Sequence, residues 1–215
     1  MVKYYTGQID KVAIAELPNY EDHGRDVVLV DGENIHHAIA DLLKQRYLGF
    51  DTESKPVFQK GATGSGISII QISSVSCCYI FLLNSIADST LLGEVVNNQN
   101  IIKIGVGLKD DLSKLRGQCK FHPVAFVDLG TIFKTFGRRN SLGSKQLVAL
   151  VLQKKLRKSK SVTTSNWAAP TLTPMQIAYA SDDAFSSVDA YIKLREVFLP
   201  YVAQLDRSVV RLLDL

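Results

Sequence analysis

Two short runs rich in β-branched and aromatic residues, Ile67 to Ser73 and Cys77 to Leu83, are joined by only Ser74-Val75-Ser76. A link that short turns a strand back on its neighbour, so the pair predicts an antiparallel hairpin. Around it lie brief apolar runs of the kind buried inside a sheet: Val27 to Val30, Tyr47 to Phe50 leading into Asp51-Thr52-Glu53, and Ile101 to Val106. Helical spacing fills the intervals. Ile35, Ala38, Ile39, Leu42 and Leu43 share one face between Glu33 and Arg46, and further helices are predicted over 86–97, 108–116, 130–136 and 144–152. A long helix starts at Pro174 with Thr173 as its N-cap. A hairpin inside the central sheet excludes a doubly wound, purely parallel arrangement.

The expected fold is therefore α/β, a ribonuclease H-like mixed β-sheet flanked by α-helices. Residues 1–25 are irregular and mildly acidic, with Pro18 and Gly24, and are expected as a leader packed on a domain spanning 26–215. A glycine-rich loop, Gly61 to Gly66, precedes the hairpin.

At 215 residues, 46% hydrophobic and 21% charged, the chain can bury a core without disulfides, which excludes disorder as its main state. No apolar run reaches the ~20 residues needed to span a bilayer, and Met1 to Gln8 hold no hydrophobic segment of a secretory signal. Cys77, Cys78 and Cys119 make no disulfide framework, so an intracellular location is expected, cytoplasmic or nuclear in a eukaryote. Between Leu129 and Ser181 there is no Asp or Glu, yet nine of the 25 basic residues fall there. Such a segment suits either a polyanion laid across one face or a solvated surface.

Asp51 and Glu53 stand two apart on a strand, which puts both carboxylates on one face and Thr52 on the other. Adjacent carboxylates repel unless one holds its proton or both share a cation, and oxygen-only ligands suit Mg²⁺ or Mn²⁺. Alone, Asp-x-Glu at a strand end is commonplace. Asp111 falls in the first turns of a helix after Lys103-Ile-Gly-Val-Gly107, where the helix dipole alone justifies a carboxylate. Gly105 and Gly107 do not make a dinucleotide fingerprint, because Asp110 stands where the third glycine belongs; no nucleotide cofactor is expected. Tyr179 and Asp183 are i and i+4 on the long helix, a spacing that packing also explains. Asp110, Asp182 and Asp189 read as flanking or solvent-facing charges.

Together these elements are specific. Leu48-Gly-Phe-Asp-Thr-Glu53, Ile69-Ile-Gln-Ile72, Tyr79-Ile-Phe81, Lys103 through Asp111, Val127-Asp-Leu129, Ser165-Asn-Trp167 and Leu172 through Ala184 occur in one order over roughly residues 45 to 198. The chain resembles the tyrosine branch of the DEDD superfamily of 3′→5′ exonucleases, the Werner-type exonuclease domain more than RNase D. Ser54-Lys55-Pro56 and Asp110 depart from the Werner-type pattern. The resemblance implies a stand-alone, metal-dependent hydrolase without a helicase module. It would release nucleoside 5′-monophosphates from the 3′ end of nucleic acid, DNA favoured, with two Mg²⁺ or Mn²⁺ ions.

Asp51, Glu53, Asp111 and Asp183 would bind the ions, and Tyr179 would orient the attacking water. The position a histidine takes in the sister branch is Ala178 here, and every histidine lies upstream, so that branch is excluded. Thr52, Arg138, Arg139 and Lys145 would contact the substrate, and Trp167 is expected to pack rather than stack on a base. An exoribonuclease of RNase D type would share every one of these catalytic residues, and a catalytically silent nucleic-acid-binding module would share the fold. Oligomeric state is not legible in the residues.

Overall fold

The computed structural model describes residues 9–21, 24–56, 66–136 and 138–215. Among them are six strands: β1 (Asp26–Val30), β2 (Tyr47–Ser54), β3 (Ile67–Ser73), β4 (Cys77–Leu82), β5 (Ile102–Gly105) and β6 (Phe126–Asp128). They form one sheet in the order β1-β4-β3-β2-β5-β6. The predicted hairpin is β3–β4, and β2 pairs antiparallel with β3. The pairings β1–β4, β2–β5 and β5–β6 are parallel, so the sheet is mixed, as the hairpin required.

The helices are α1 (Lys11–Glu16), α2 (Ile35–Leu42), α3 (Gly93–Val96), α4 (Lys109–Gly117), α5 (Leu129–Ile132), α6 (Ser144–Leu152), α7 (Lys160–Thr163), α8 (Pro174–Phe198) and α9 (Arg207–Leu212). Helix α8 starts where Thr173 and Pro174 place it, closed by a reciprocal capping box between Thr173 and Gln176. Other stretches differ from expectation. Over 86–97 only a 3₁₀ turn (Ser89–Leu92) and the short α3 form, because Asp88 accepts a hydrogen bond from the Thr90 amide and starts the turn there. The stretch 130–136 divides into α5 and a 3₁₀ turn. The glycine-rich loop, apart from Gly66, lies outside the described residues.

Alternation along β2 divides the molecule into two layers. Leu48 and Phe50 pack with Ile70 and Ile72 against Ile35 and Leu42 of α2, Val95 of α3 and Leu115 of α4. The opposite face carries α8, whose Tyr179, Ala180, Ala184 and Phe185 cover Ile69 and Ile80, while α6 closes on its C-terminal half. Gly49 sets how closely α8 approaches. A Cβ at this position would lie 1.9 Å from the carbonyl oxygen of Ala184 and 2.7 Å from Ser73 Oγ. Only a residue without a side chain lets that helix lie against β2.

The described residues of the leader hold more structure than its composition suggests. Asp10 caps α1, and Asn19 forms a parallel bridge with Lys155. Arg25 pairs with both oxygens of Asp189 at 3.0 and 3.1 Å, Tyr20 donates to the same carboxylate at 2.6 Å, and the guanidinium lies 3.9 Å from the Phe185 ring centroid. Asp189 is thus the anchor of the leader on α8, not the solvent-facing charge expected from sequence.

Candidate active site

Asp51 and Glu53 project from the α8 face of β2, where Asp183 of α8 meets them. One carboxylate oxygen from each of the three lies within 4.8 Å of the others. The period-2 alternation brings the first two together, and the close approach at Gly49 brings the third.

Asp111 arrives from the opposite layer. Its helix α4 follows a tight turn in which Gly107 has φ +79°, a conformation open to glycine and strained for side-chain residues. The amides of Gly107 and Leu108 both donate to the carboxylate of Asp128, at 3.0 and 3.3 Å, which fixes the start of α4. Thr52, on the other face of β2 as alternation requires, donates its hydroxyl to Asp111 Oδ1. Thr52 thus holds the fourth carboxylate beside β2, outside the group of three that lies within 4.8 Å.

Both oxygens of Asp183 are buried, and Oδ1 accepts no hydrogen bond. Lys158 Nζ stands 2.9 Å from Oδ2 in an ion pair. A buried carboxylate oxygen without a partner is costly, and Lys158 meets only one of the two. The donors are all carboxylate oxygens, the set that a hard divalent ion takes, so the residues present fit such an ion.

The electrostatics follow from this crowding. Burial, then the negative charge of Asp183, pushes the Asp51 carboxyl well above its ordinary range, against the pull of Lys158. Burial followed by Asp183 pushes Glu53 from 4.5 up to about 8. Asp183 and Asp111 are raised chiefly by burial, opposed by Lys158 in the first and by the Thr52 hydroxyl in the second. Burial would lower Lys158, but Asp183 and Asp51 hold it above the usual lysine range.

The shift at Glu53 has a testable sign. Between pH 4.5 and 8 the folded protein holds a proton on Glu53 that the unfolded chain has released, so stability without metal falls as pH rises through that window. Glu53→Gln cannot ionise and escapes this loss. In EDTA the variant is expected to gain stability on the wild type steadily from about pH 5 to pH 8, measured by urea denaturation. A constant difference across that range would contradict the crowding.

Tyr179 sits one turn before Asp183, buried, with its hydroxyl 3.1 Å from Thr163 Oγ1 and its ring tilted on Trp167 at 5.8 Å between centroids. Burial, then Asp183, raises its pKa, so the hydroxyl stays protonated at neutral pH. Trp167 is 1% exposed and packs behind it.

The remaining candidates are spread along the basic stretch. Lys145 of α6 donates to the Lys158 carbonyl at 3.3 Å and lines a groove of about 400 Å³ with Lys11, Lys155, Arg157 and Lys158. Arg138 and Arg139 lie between α5 and α6, half-buried and exposed respectively. The cations acting on the carboxylates are Lys158 and Lys114. Sequence reasoning placed Lys158 within the basic run but not at the site, and Asp128 within a motif but not under α4. Neither residue type nor spacing distinguishes Lys158 from its basic neighbours.

A model of the 3′-5′ exonuclease family matches residues 28–198, most of the chain, a range within which Asp51, Glu53, Asp111 and Asp183 fall. The chain belongs to the 3′→5′ exonuclease family. The bifunctional 3′-5′ exonuclease/ATP-dependent helicase WRN of Mus musculus is 33% identical over 150 residues, covering 68% of this chain and 11% of that protein. The exonuclease 3′-5′ domain-containing protein 2 of Drosophila melanogaster is 30% identical over 151 residues, covering 69% of this chain and 25% of that protein. The chain thus spans a quarter or less of both of these relatives. The crystal structure of the Aedes aegypti Nibbler EXO domain superposes with a TM-score of 0.72 at 26% identity, over 92% of this chain and 98% of that one. This family is one of hydrolases acting on nucleic acid, and its fold is the ribonuclease H-like mixed sheet seen here. Among the described residues no helix is long and apolar enough to cross a membrane.

Proposed function

We propose that this chain is a metal-dependent 3′→5′ exonuclease that hydrolyses phosphodiester bonds from the 3′ end of nucleic acid, DNA favoured, and releases nucleoside 5′-monophosphates. The observation that carries the reading is the convergence of Asp51, Glu53 and Asp183 within 4.8 Å, with Asp183 Oδ1 buried and without a hydrogen bond. Asp51, Glu53, Asp183 and Asp111 would hold two divalent ions, Mg²⁺ or Mn²⁺. When bound, such ions acidify a water and stabilise the charge that develops on the phosphate oxygens.

The chain's own residues supply position and charge. Thr52 and the Asp128-capped turn hold Asp111 at the strand end. Tyr179 keeps its proton and acts as a hydrogen-bonding guide for the attacking water rather than as a base, with Thr163 fixing its hydroxyl. Lys145, Arg138 and Arg139 offer contacts to the backbone of the strand, which carry no sequence information and weaken with salt. All three cysteines are free, in keeping with an intracellular location, and we read 26–215 as one catalytic domain preceded by a leader.

Tyr179→Phe separates positioning from metal binding. Turnover is expected to fall by ~10–100-fold, the range for losing one positioned hydrogen bond, while Mn²⁺ affinity stays unchanged by calorimetry. Chromatography of the wild-type products should show 5′-monophosphates. Unimpaired turnover in the variant would remove Tyr179 from the mechanism, and 3′-monophosphate products would overturn the reaction assigned here.

A further inference from the structure

The carboxylate cluster already holds a cation, and it belongs to the protein. Lys158 Nζ lies 2.9 Å from Asp183 Oδ2, with side chains only 22% and 4% exposed, and 5.2 Å from the centroid of the Tyr179 ring. Its charge acts on Asp51 and Glu53 as well as on Asp183. Lys158 pairs with Oδ2 and leaves Oδ1 without a partner.

The lysine is delivered on a fastened segment. The Lys155 amide donates to Pro18 O at 2.7 Å, and its carbonyl accepts from the Tyr20 amide at 2.9 Å. Its side chain donates to Ala15 O at 2.9 Å, and Leu156 beside it is buried at 2% exposure. Lys145 then holds the Lys158 carbonyl. The leader thus straps down the backbone three residues before Lys158, while the long aliphatic stem leaves the ammonium free to change partner.

We propose that Lys158 is a tethered counter-cation of the metal site, occupying Asp183 while no divalent ion is bound and yielding it when one binds. The inference rests on the metal-binding role proposed above for the same carboxylates. Its physical basis is exclusion of like charges. An ammonium and a divalent ion on one carboxylate repel strongly in a site this dry. Lys158 therefore lowers the affinity for the ion and keeps the crowded carboxylates compatible with the fold before loading.

The test is calorimetric titration of Mn²⁺ into the full chain without nucleic acid, for wild type, Lys158→Met and Lys114→Met. Lys114 also acts on Glu53 and Asp111, but its ammonium is bonded to Ser54 Oγ at 2.9 Å and not to a carboxylate of the cluster. Lys158→Met is expected to bind Mn²⁺ about tenfold more tightly than wild type, and Lys114→Met to change affinity by less than about threefold. A second measurement needs no variant. Acetylation of Lys158 in the wild type, followed by mass spectrometry, should speed up several-fold when Mn²⁺ is added, because the ammonium is released.

Equal Mn²⁺ affinities in wild type and Lys158→Met, an equal gain in Lys114→Met, or acetylation unaffected by Mn²⁺ would overturn the proposal and leave the metal site standing. Absence of Mn²⁺ binding in every protein would overturn the metal site as well.

Discussion

Asp51→Asn is expected to reduce 3′→5′ degradation by about a thousandfold or more, since it removes a ligand from a centre that contributes several kcal/mol to the transition state. The same change should raise the melting temperature of the protein in EDTA. Asp51 is half-buried beside Asp183 and Glu53, and desolvation, then the charge of Asp183, holds its carboxyl far above the ordinary range. An amide of the same shape cannot ionise, so the variant avoids the cost of protonating that carboxyl on folding. The gain is expected to be about 1–3 kcal/mol, or several degrees for a domain of this size. Scanning fluorimetry in EDTA and in Mn²⁺ checks both halves. The wild type should gain from the metal and the variant should not. A variant less stable than wild type in EDTA would show that the carboxylates are not in conflict.

The second large effect is at Gly49. A Cβ there would stand 1.9 Å from the Ala184 carbonyl oxygen and 2.8 Å from its carbon, so relief requires moving the α8 backbone itself. Gly49→Ala is expected to cost about 2–4 kcal/mol, at the upper end of overpacking. Asp183 is the residue next to Ala184. Protein that still folds should therefore lose about 100-fold in turnover, the consequence of displacing a reacting group by an ångström. Gly117→Ala serves as the control, because a Cβ there meets nothing within 4 Å. It should leave stability and activity close to wild type. Wild-type stability in Gly49→Ala, measured by urea denaturation, would show that the helix does not depend on that close approach.

Local rules made a good part of this legible. The three-residue link between Ile67–Ser73 and Cys77–Leu82 required a hairpin, and the hairpin required a mixed sheet. Thr173-Pro174 marked the start of α8 and the apolar spacing marked α6 to its ends, because caps and periodicity are short-range properties. Period-2 alternation put Asp51 and Glu53 on one face and Thr52 on the other, as found.

What stayed hidden depends on contacts distant in sequence. Asp111 comes to the site from the layer opposite Asp183, through a turn held by Asp128 and a hydroxyl from Thr52. Asp189 meets Arg25 across 164 residues, so its spacing on the helix says nothing about its partner. Lys158 is one lysine among several until the leader fastens its segment over the carboxylates. The helix expected over 86–97 failed for a local reason that was readable, a side-chain acceptor at Asp88 competing for the backbone.

The most direct test of the central claim uses 5′-labelled single-stranded DNA, recessed-3′ duplex DNA and single-stranded RNA. Each is incubated with wild type and with Asp51→Asn in Mg²⁺, Mn²⁺ or EDTA. The site described here predicts a ladder shortening from the 3′ end with wild type and metal, strongest on DNA, and no ladder in EDTA or with the variant. No shortening of any strand by the wild type in either metal would contradict it.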